Sequence, residues 1–126
     1  MARLQHAAVT FPPGSEAAVR GFYGDVLGLA EIPVPAEVAQ HGWIWFATDD
    51  DGIELHLIPD ALAPDPERRH HFCLQFASLD EVRDRLVAAG AEARPPGSRI
   101  LGRERLFTRD PVGNLVECVE IARTVR

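Results

Sequence analysis

The sequence predicts an α+β fold made of one unit used twice, each copy running β-α-β-β-β. Three observations predict it. "HAAVTF" from His6 and "HFCLQF" from His71 both read His, four residues, Phe. Each is followed by a stretch of helical spacing that contains Val-Arg and ends in Gly. Each half then places a glutamate late, Glu54 in "GIELHLI" and Glu117 in "NLVECVEI", 48 and 46 residues after its histidine. Unrelated halves would rarely agree at three successive points, and such self-similarity marks a repeated structural unit.

The elements follow in order. In the first strand Ala7, Val9 and Phe11 form one face and His6, Ala8 and Thr10 the other, because side chains alternate along a strand. Val19, Phe22, Tyr23, Val26 and Leu27 then recur at i, i+3, i+4, i+7 and i+8, one apolar helical stripe. Ser15 is placed to cap this helix, and Gly28 tolerates the positive φ that ends one. "LAE" opens a second strand, "VPAEVAQHG" is a loop and "GWIWFAT" a third strand. In the fourth, Ile53, Leu55 and Leu57 oppose Glu54 and His56.

"PDALAPDPER" carries three prolines and reads as an irregular connector. The first module is therefore assigned to 1–58, the connector to 59–69 and the second module to 70–122. In the second module Phe72, Leu74 and Phe76 oppose His71, Cys73 and Gln75. "SLDE" is a capping box, in which Ser78 and Glu81 satisfy end donors of a helix whose stripe is Leu79, Val82, Leu86 and Ala89 and which Gly90 stops. "AEA" enters a strand, "RPPGSRILG" is a loop, "RLFTRD" a strand and "DPVGN" a turn. The last strand is less clean, since Leu115, Val119 and Ile121 share parity with Glu117.

Composition bounds the partners. The 126 residues make one domain by length, with an ordinary globular share of apolar and charged residues. A net charge of −6 argues against nucleic acid or an anionic membrane as main partner. No apolar run approaches the roughly 18 residues of a membrane span. The start, "MARLQHAAVTF", lacks a signal pattern, so a cytoplasmic protein is expected. Cys73 and Cys118 form no disulfide framework.

His6, Glu54, His71 and Glu117 thus hold matching places on the polar faces of their strands. Two imidazoles and two carboxylates suit one divalent ion such as Zn²⁺, Ni²⁺, Co²⁺, Mn²⁺ or Fe²⁺. Carboxylates facing a partly enclosed cavity are costly unless paired, and a metal would resolve both. His71, aligned with His6, is the expected ligand of the His70–His71 pair, with His70 pointing away. His56 has the parity to support or replace a ligand. Cys73 is read as a small buried residue lining the cavity, Cys118 as core, and His41 and His70 as solvated. Arg94, Arg99, Arg103 and Arg105 cluster around one loop, where they form a solvated run or grip an anion.

"HAAVTF", "FYGDVLGL", "IELHL", "HFCLQF" with its helix, and "RDPVGNLVECVE" resemble the vicinal oxygen chelate superfamily across nearly the whole chain. This superfamily includes glyoxalase I, fosfomycin-resistance thiol transferases, extradiol dioxygenases, methylmalonyl-CoA epimerases and bleomycin-resistance proteins. The resemblance implies two βαβββ modules in a curved mixed sheet around a metal-binding cleft. Its ligand positions fall on His6, Glu54, His71 and Glu117, a set most similar to that of glyoxalase I-like lyases. It also implies a homodimer whose sites are shared between chains. "TFPPGSEAA" departs from the pattern by lengthening the turn after the first strand.

The activity implied is that of a metal-dependent lyase or isomerase on a small oxygen-chelating substrate. Glu117 or Glu54 would move a proton beside a carbonyl. The alternatives are an iron extradiol dioxygenase or a thiol transferase using His6, His71 and Glu117, or a non-catalytic module that sequesters an aromatic compound. In that last reading Trp43, Trp45 and Phe46 would supply the stacking.

Overall fold

The computed structural model describes residues 1–48 and 52–122. The first module has strands β1 (His6–Phe11), β2 (Ala30–Ile32), β3 (Ile44–Ala47) and β4 (Glu54–Pro59), in the sheet order β1-β4-β3-β2. β1 and β4 run parallel, with His6 opposite Glu54 and Ala8 opposite His56. The second module has β5 (Phe72–Gln75), β6 (Arg103–Arg109) and β7 (Leu115–Ile121), in the order β5-β7-β6. β5 and β7 are again parallel, here with Cys73 opposite Glu117. Both sheets are mixed, so the α+β class and the two-module plan hold.

The second module departs from the expected four strands. Its second strand shrinks to one bridge, Arg94 with Phe107. The segment that follows contains Pro95 and Pro96, which lack the N–H a ladder requires.

Helix α1 (Glu16–Arg20) runs directly into a π-helical segment, Gly21–Val26. Its stripe is buried at Val19, Phe22, Tyr23 and Leu27, and Gly28 ends it at φ +80°. Ser15 does not cap: its hydroxyl donates backwards to the Pro12 carbonyl at 2.6 Å, and Glu16 instead accepts from the Gly14 N–H. Helix α2 (Leu79–Ala88) is capped as its sequence implies, with Ser78 Oγ accepting from Glu81 N. The expected loop after β2 contains a 3₁₀ helix, Ala36–His41, closed by Gly42 at φ +72°.

One core serves both modules. Phe11, Ile44, Phe46, Leu55 and Leu57 cover the helix-facing side of the first sheet, and Leu106, Val116 and Cys118 that of the second. Between them sits Tyr23, fully buried, its hydroxyl donating to Asp110 Oδ2 at 2.6 Å. Asp110 also accepts from the backbone of Val112 and Asn114, while Asn114 Nδ2 reaches across to the Thr10 carbonyl at 2.8 Å. Burial raises the Tyr23 hydroxyl well above its ordinary pKa, and the Asp110 charge adds to it. Among the described residues, no helix is long and apolar enough to cross a membrane.

Candidate functional site

The parity that buries Leu55 and Leu57 sends Glu54 and His56 to the opposite face of the first sheet, where His6 joins them. His56 Nε2 donates to Glu54 Oε1 at 2.9 Å, and Gln5 Nε2 lies 3.4 Å from the same oxygen. These contacts, His56 first, hold the Glu54 carboxyl below its usual range, with burial opposing. His6 turns its Nδ1 to Gln5 Oε1 at 2.6 Å. An amide oxygen only accepts, so Nδ1 carries the proton and the Nε2 lone pair is left bare.

The second sheet repeats the device with different parts. His71 Nδ1 donates to the Arg69 carbonyl at 2.8 Å, which again leaves Nε2 as the basic nitrogen. That Nε2 stands 3.0 Å from Glu117 Oε1. Two acceptors at this distance need a second proton or a cation between them. Arg105 Nε donates to the other oxygen of Glu117 at 3.1 Å, with both side chains largely shielded from solvent.

The His71–Glu117 pair could supply one nitrogen and one oxygen donor to a metal, with the Nδ1 anchor that orients a ligating imidazole. His6 and Glu54 instead share a sheet face without touching, Glu54 being held by His56. The described residues of one chain do not gather three or more such ligands at one point. The pairs belong to two different sheets, His6 and Glu54 to the first and His71 and Glu117 to the second. A cavity of about 710 Å³ runs between β1 and β5 beneath the connector. It touches His70 and His71 but not the other three residues, so the ligand geometry is the better guide to the chemistry.

His56 is 8% exposed and lies in a ladder of rings. His6 stacks on it at 4.2 Å between centroids, Trp45 on its other side at 3.9 Å and 4° between planes, then Trp43 and His41 beyond. Phe46 is not part of it: alternation along β3 turns it into the core, at 1% exposure. Cys73 is exposed rather than buried, because the face of the second sheet that carries Glu117 is open. Desolvation of its thiol, with the nearby Glu117 charge, still pushes it up to about 11, so it is a poor thiolate ligand at neutral pH. Gln5 escaped the sequence reading, and Arg105 entered it only within the arginine cluster, not as the partner of Glu117. That role was within reach, since the parity of β6 places Arg105 on the Glu117 face.

Residues 3–118 match the family model of the Glyoxalase/Bleomycin resistance protein/Dioxygenase superfamily. The chain belongs to this superfamily. Its fold is similar to that of a glyoxalase family protein from Bacillus anthracis, at 30% identity and TM-score 0.84 over 96% of both chains. It is also similar to the fosfomycin resistance protein FosX from Listeria monocytogenes, at 18% identity and TM-score 0.73, covering 95% of this chain and 93% of that one. A third likeness is to TnmS3, an antibiotic binding protein from Streptomyces sp. CB03234, at 19% identity and TM-score 0.70, covering 97% and 98%. No curated protein sequence matches the chain. Superfamily membership accounts for the paired modules, whereas the particular reaction has to be argued from the site.

Proposed function

We propose that the chain is a metal-dependent enzyme of glyoxalase I type, a lyase or isomerase that moves a proton beside a carbonyl of a small substrate. The observation that carries the reading is the repeated pair: in each module an imidazole with its Nδ1 anchored, and a carboxylate on the same sheet face. His6, Glu54, His71 and Glu117 would hold one divalent ion, of the Ni, Zn, Co, Mn or Fe class. When bound, such an ion supplies Lewis acidity toward two neighbouring substrate oxygens. The protein's own part is the proton. Glu54, kept ionised by His56, and Glu117, held by Arg105, are the two candidate bases, and either returns the proton as an acid. Because the pairs lie in two sheets, we place the complete site between two chains of a homodimer, first module of one against second module of the other.

A second reading rests on the ring ladder from His6 to His41. Stacked indoles also suit a protein that sequesters a flat drug or metabolite. Metal analysis decides between them, followed by assays on hemithioacetals, catechols and fosfomycin. Nickel, cobalt or zinc with turnover of a hemithioacetal supports the lyase. Iron with oxygen uptake supports a dioxygenase. Absence of any metal affinity, with tight binding of an aromatic compound, sinks the enzyme reading.

A further inference from the structure

A second cavity, of about 380 Å³, opens at the free edge of β6 where the second module lacks its full strand. Arg83, Arg99, Arg103 and Arg105 line it, against a single carboxylate, Glu104. Arg83 is committed to Asp80 at 2.7 Å. Arg105 is partly committed, through Nε to Glu117 and one terminal nitrogen to the Ser98 carbonyl. Arg99 and Arg103 have no carboxylate partner among the described residues. Glu104, which alternates to the opposite face of β6 from Arg103 and Arg105, is the one carboxylate in this lining and forms no ion pair with them among the described residues.

The backbone adds a donor. Among the described residues, β6 is tied on this edge by backbone bonds at Phe107, to Arg94, and at Arg103, whose N–H reaches the Ile100 carbonyl. By the alternation of an antiparallel ladder, Arg105 between them presents its own N–H to the same open edge. Two uncommitted guanidinium forks, a third already oriented and an edge amide therefore converge on one concavity. In a chain of net charge −6 this is a local reversal of sign.

We propose that this cavity is an oxyanion site, taking a phosphate or carboxylate group of a small ligand. Arg99 and Arg103 supply the free forks, whose planar geometry suits either oxyanion. Arg103 and Arg105 share the face that carries Glu117, and strand spacing puts the anion roughly 10 Å from that carboxylate. Resting on the function proposed above, this makes the substrate an acidic one, gripped by its far end while the chelating oxygens meet the His–Glu pairs.

The site is tested without the metal and then with it. Calorimetric titration of chelator-stripped protein with inorganic phosphate, and separately with succinate, should give saturable binding of at least one. The stronger of the two identifies the oxyanion class. Arg99→Gln/Arg103→Gln should weaken it about tenfold or more, as loss of charge-assisted hydrogen bonds implies, while Arg20→Gln on the first module should not. No saturable binding of either probe, or equal binding by the double variant, overturns the proposal. So does binding that requires added metal and is lost in His71→Ala, because the anion then sits on the ion.

The link to the cleft is tested on metal-loaded protein. The probes are a hydroxamate joined by an alkyl chain of about 10 Å to a carboxylate, and the corresponding methyl ester. The acid should bind about tenfold tighter, and the gap should close in the double variant. Equal affinity of acid and ester rejects the acidic substrate. Failure of both hydroxamates while phosphate still binds counts against the metal reading alone.

Discussion

The two modules hold the same residue types on the same faces, yet they assemble them differently. In the first, His6 stands directly opposite Glu54, but the imidazole that touches Glu54 belongs to His56, two residues along the same strand. In the second, Cys73 is the residue opposite Glu117, and His71 reaches diagonally from two residues back to bring Nε2 within 3.0 Å. A shift of two preserves parity, so the face is kept while the contact changes. Glu54 is paired with a titratable ring and an amide, Glu117 with a permanent cation. The repeated pattern keeps the histidines and glutamates on one side of each sheet, while the neighbours of each differ.

The most severe way to break the comparison is to disable one module's histidine at a time. His6→Ala and His71→Ala should each lose metal affinity, and His70→Ala should keep it. Mixing the first two under subunit exchange gives dimers in which a shared site collects both lesions or neither. About a quarter of all sites should then be whole, and metal binding should partly return. With exchange confirmed independently, no recovery would show that each site lies within one chain.

This contrast was only partly legible in the sequence. The helix stripes, the β5 alternation and the Ser78 cap follow from local chemistry and are present, except that Ala89 ends exposed at the C-terminal cap of α2. The His-to-Glu spacings of 48 and 46 suggested equivalence, but spacing says nothing of register. In β1/β4 a residue and its partner differ by 48 in number, whereas in β5/β7 the difference is 44. The missing strand of the second module was also visible in outline, as Pro95-Pro96, but was read as a loop beside a full strand. Ser15 failed as a cap because the lengthened turn gave its hydroxyl a nearer acceptor in Pro12. Gln5 could not be ranked from sequence, since its role depends on a tautomer, and Arg105 was singled out for its cluster but not for its cross-strand contact with Glu117.

A milder intervention sharpens the difference between the two glutamates. Arg105 and Glu117 are 13% and 15% exposed along their side chains, so removing the cation strands a largely dry carboxylate. In metal-free protein Arg105→Met should cost about 2–3 kcal/mol in urea denaturation, somewhat less than a fully buried pair. Arg105→Met/Glu117→Gln should recover part of it. His56→Phe keeps a ring in the ladder and removes only the hydrogen bond to Glu54, so about 1 kcal/mol is expected. Equal losses for the two single changes would mean that the partners of Glu54 and Glu117 are equivalent after all.

A last comparison concerns what the modules share. Tyr23, from the first, donates to Asp110, from the second, and is the chain's only tyrosine. Tyr23→Phe should cost about 1–2 kcal/mol at pH 8, since Asp110 keeps its bonds from Val112 and Asn114. The sign of the pH dependence follows from the raised pKa of Tyr23. Unfolded tyrosine loses its proton near pH 10, while the folded protein holds it to higher pH. Above pH 10 the unfolded state therefore binds fewer protons, and stability falls by up to about 1.4 kcal/mol per pH unit until the folded group ionises. Stability from this tie is whole below pH 10 and is lost as pH rises through the folded value. The thiols of Cys73 and Cys118, pushed up to about 11 and about 12, act with the same sign in both proteins, so the difference between wild type and Tyr23→Phe isolates the tyrosine. That difference should narrow from pH 10 upward and then reverse. A gap that stays constant from pH 8 to 11 would show that Tyr23 ionises as freely in the folded protein as in the unfolded chain, and that the contact between the modules does not depend on its proton.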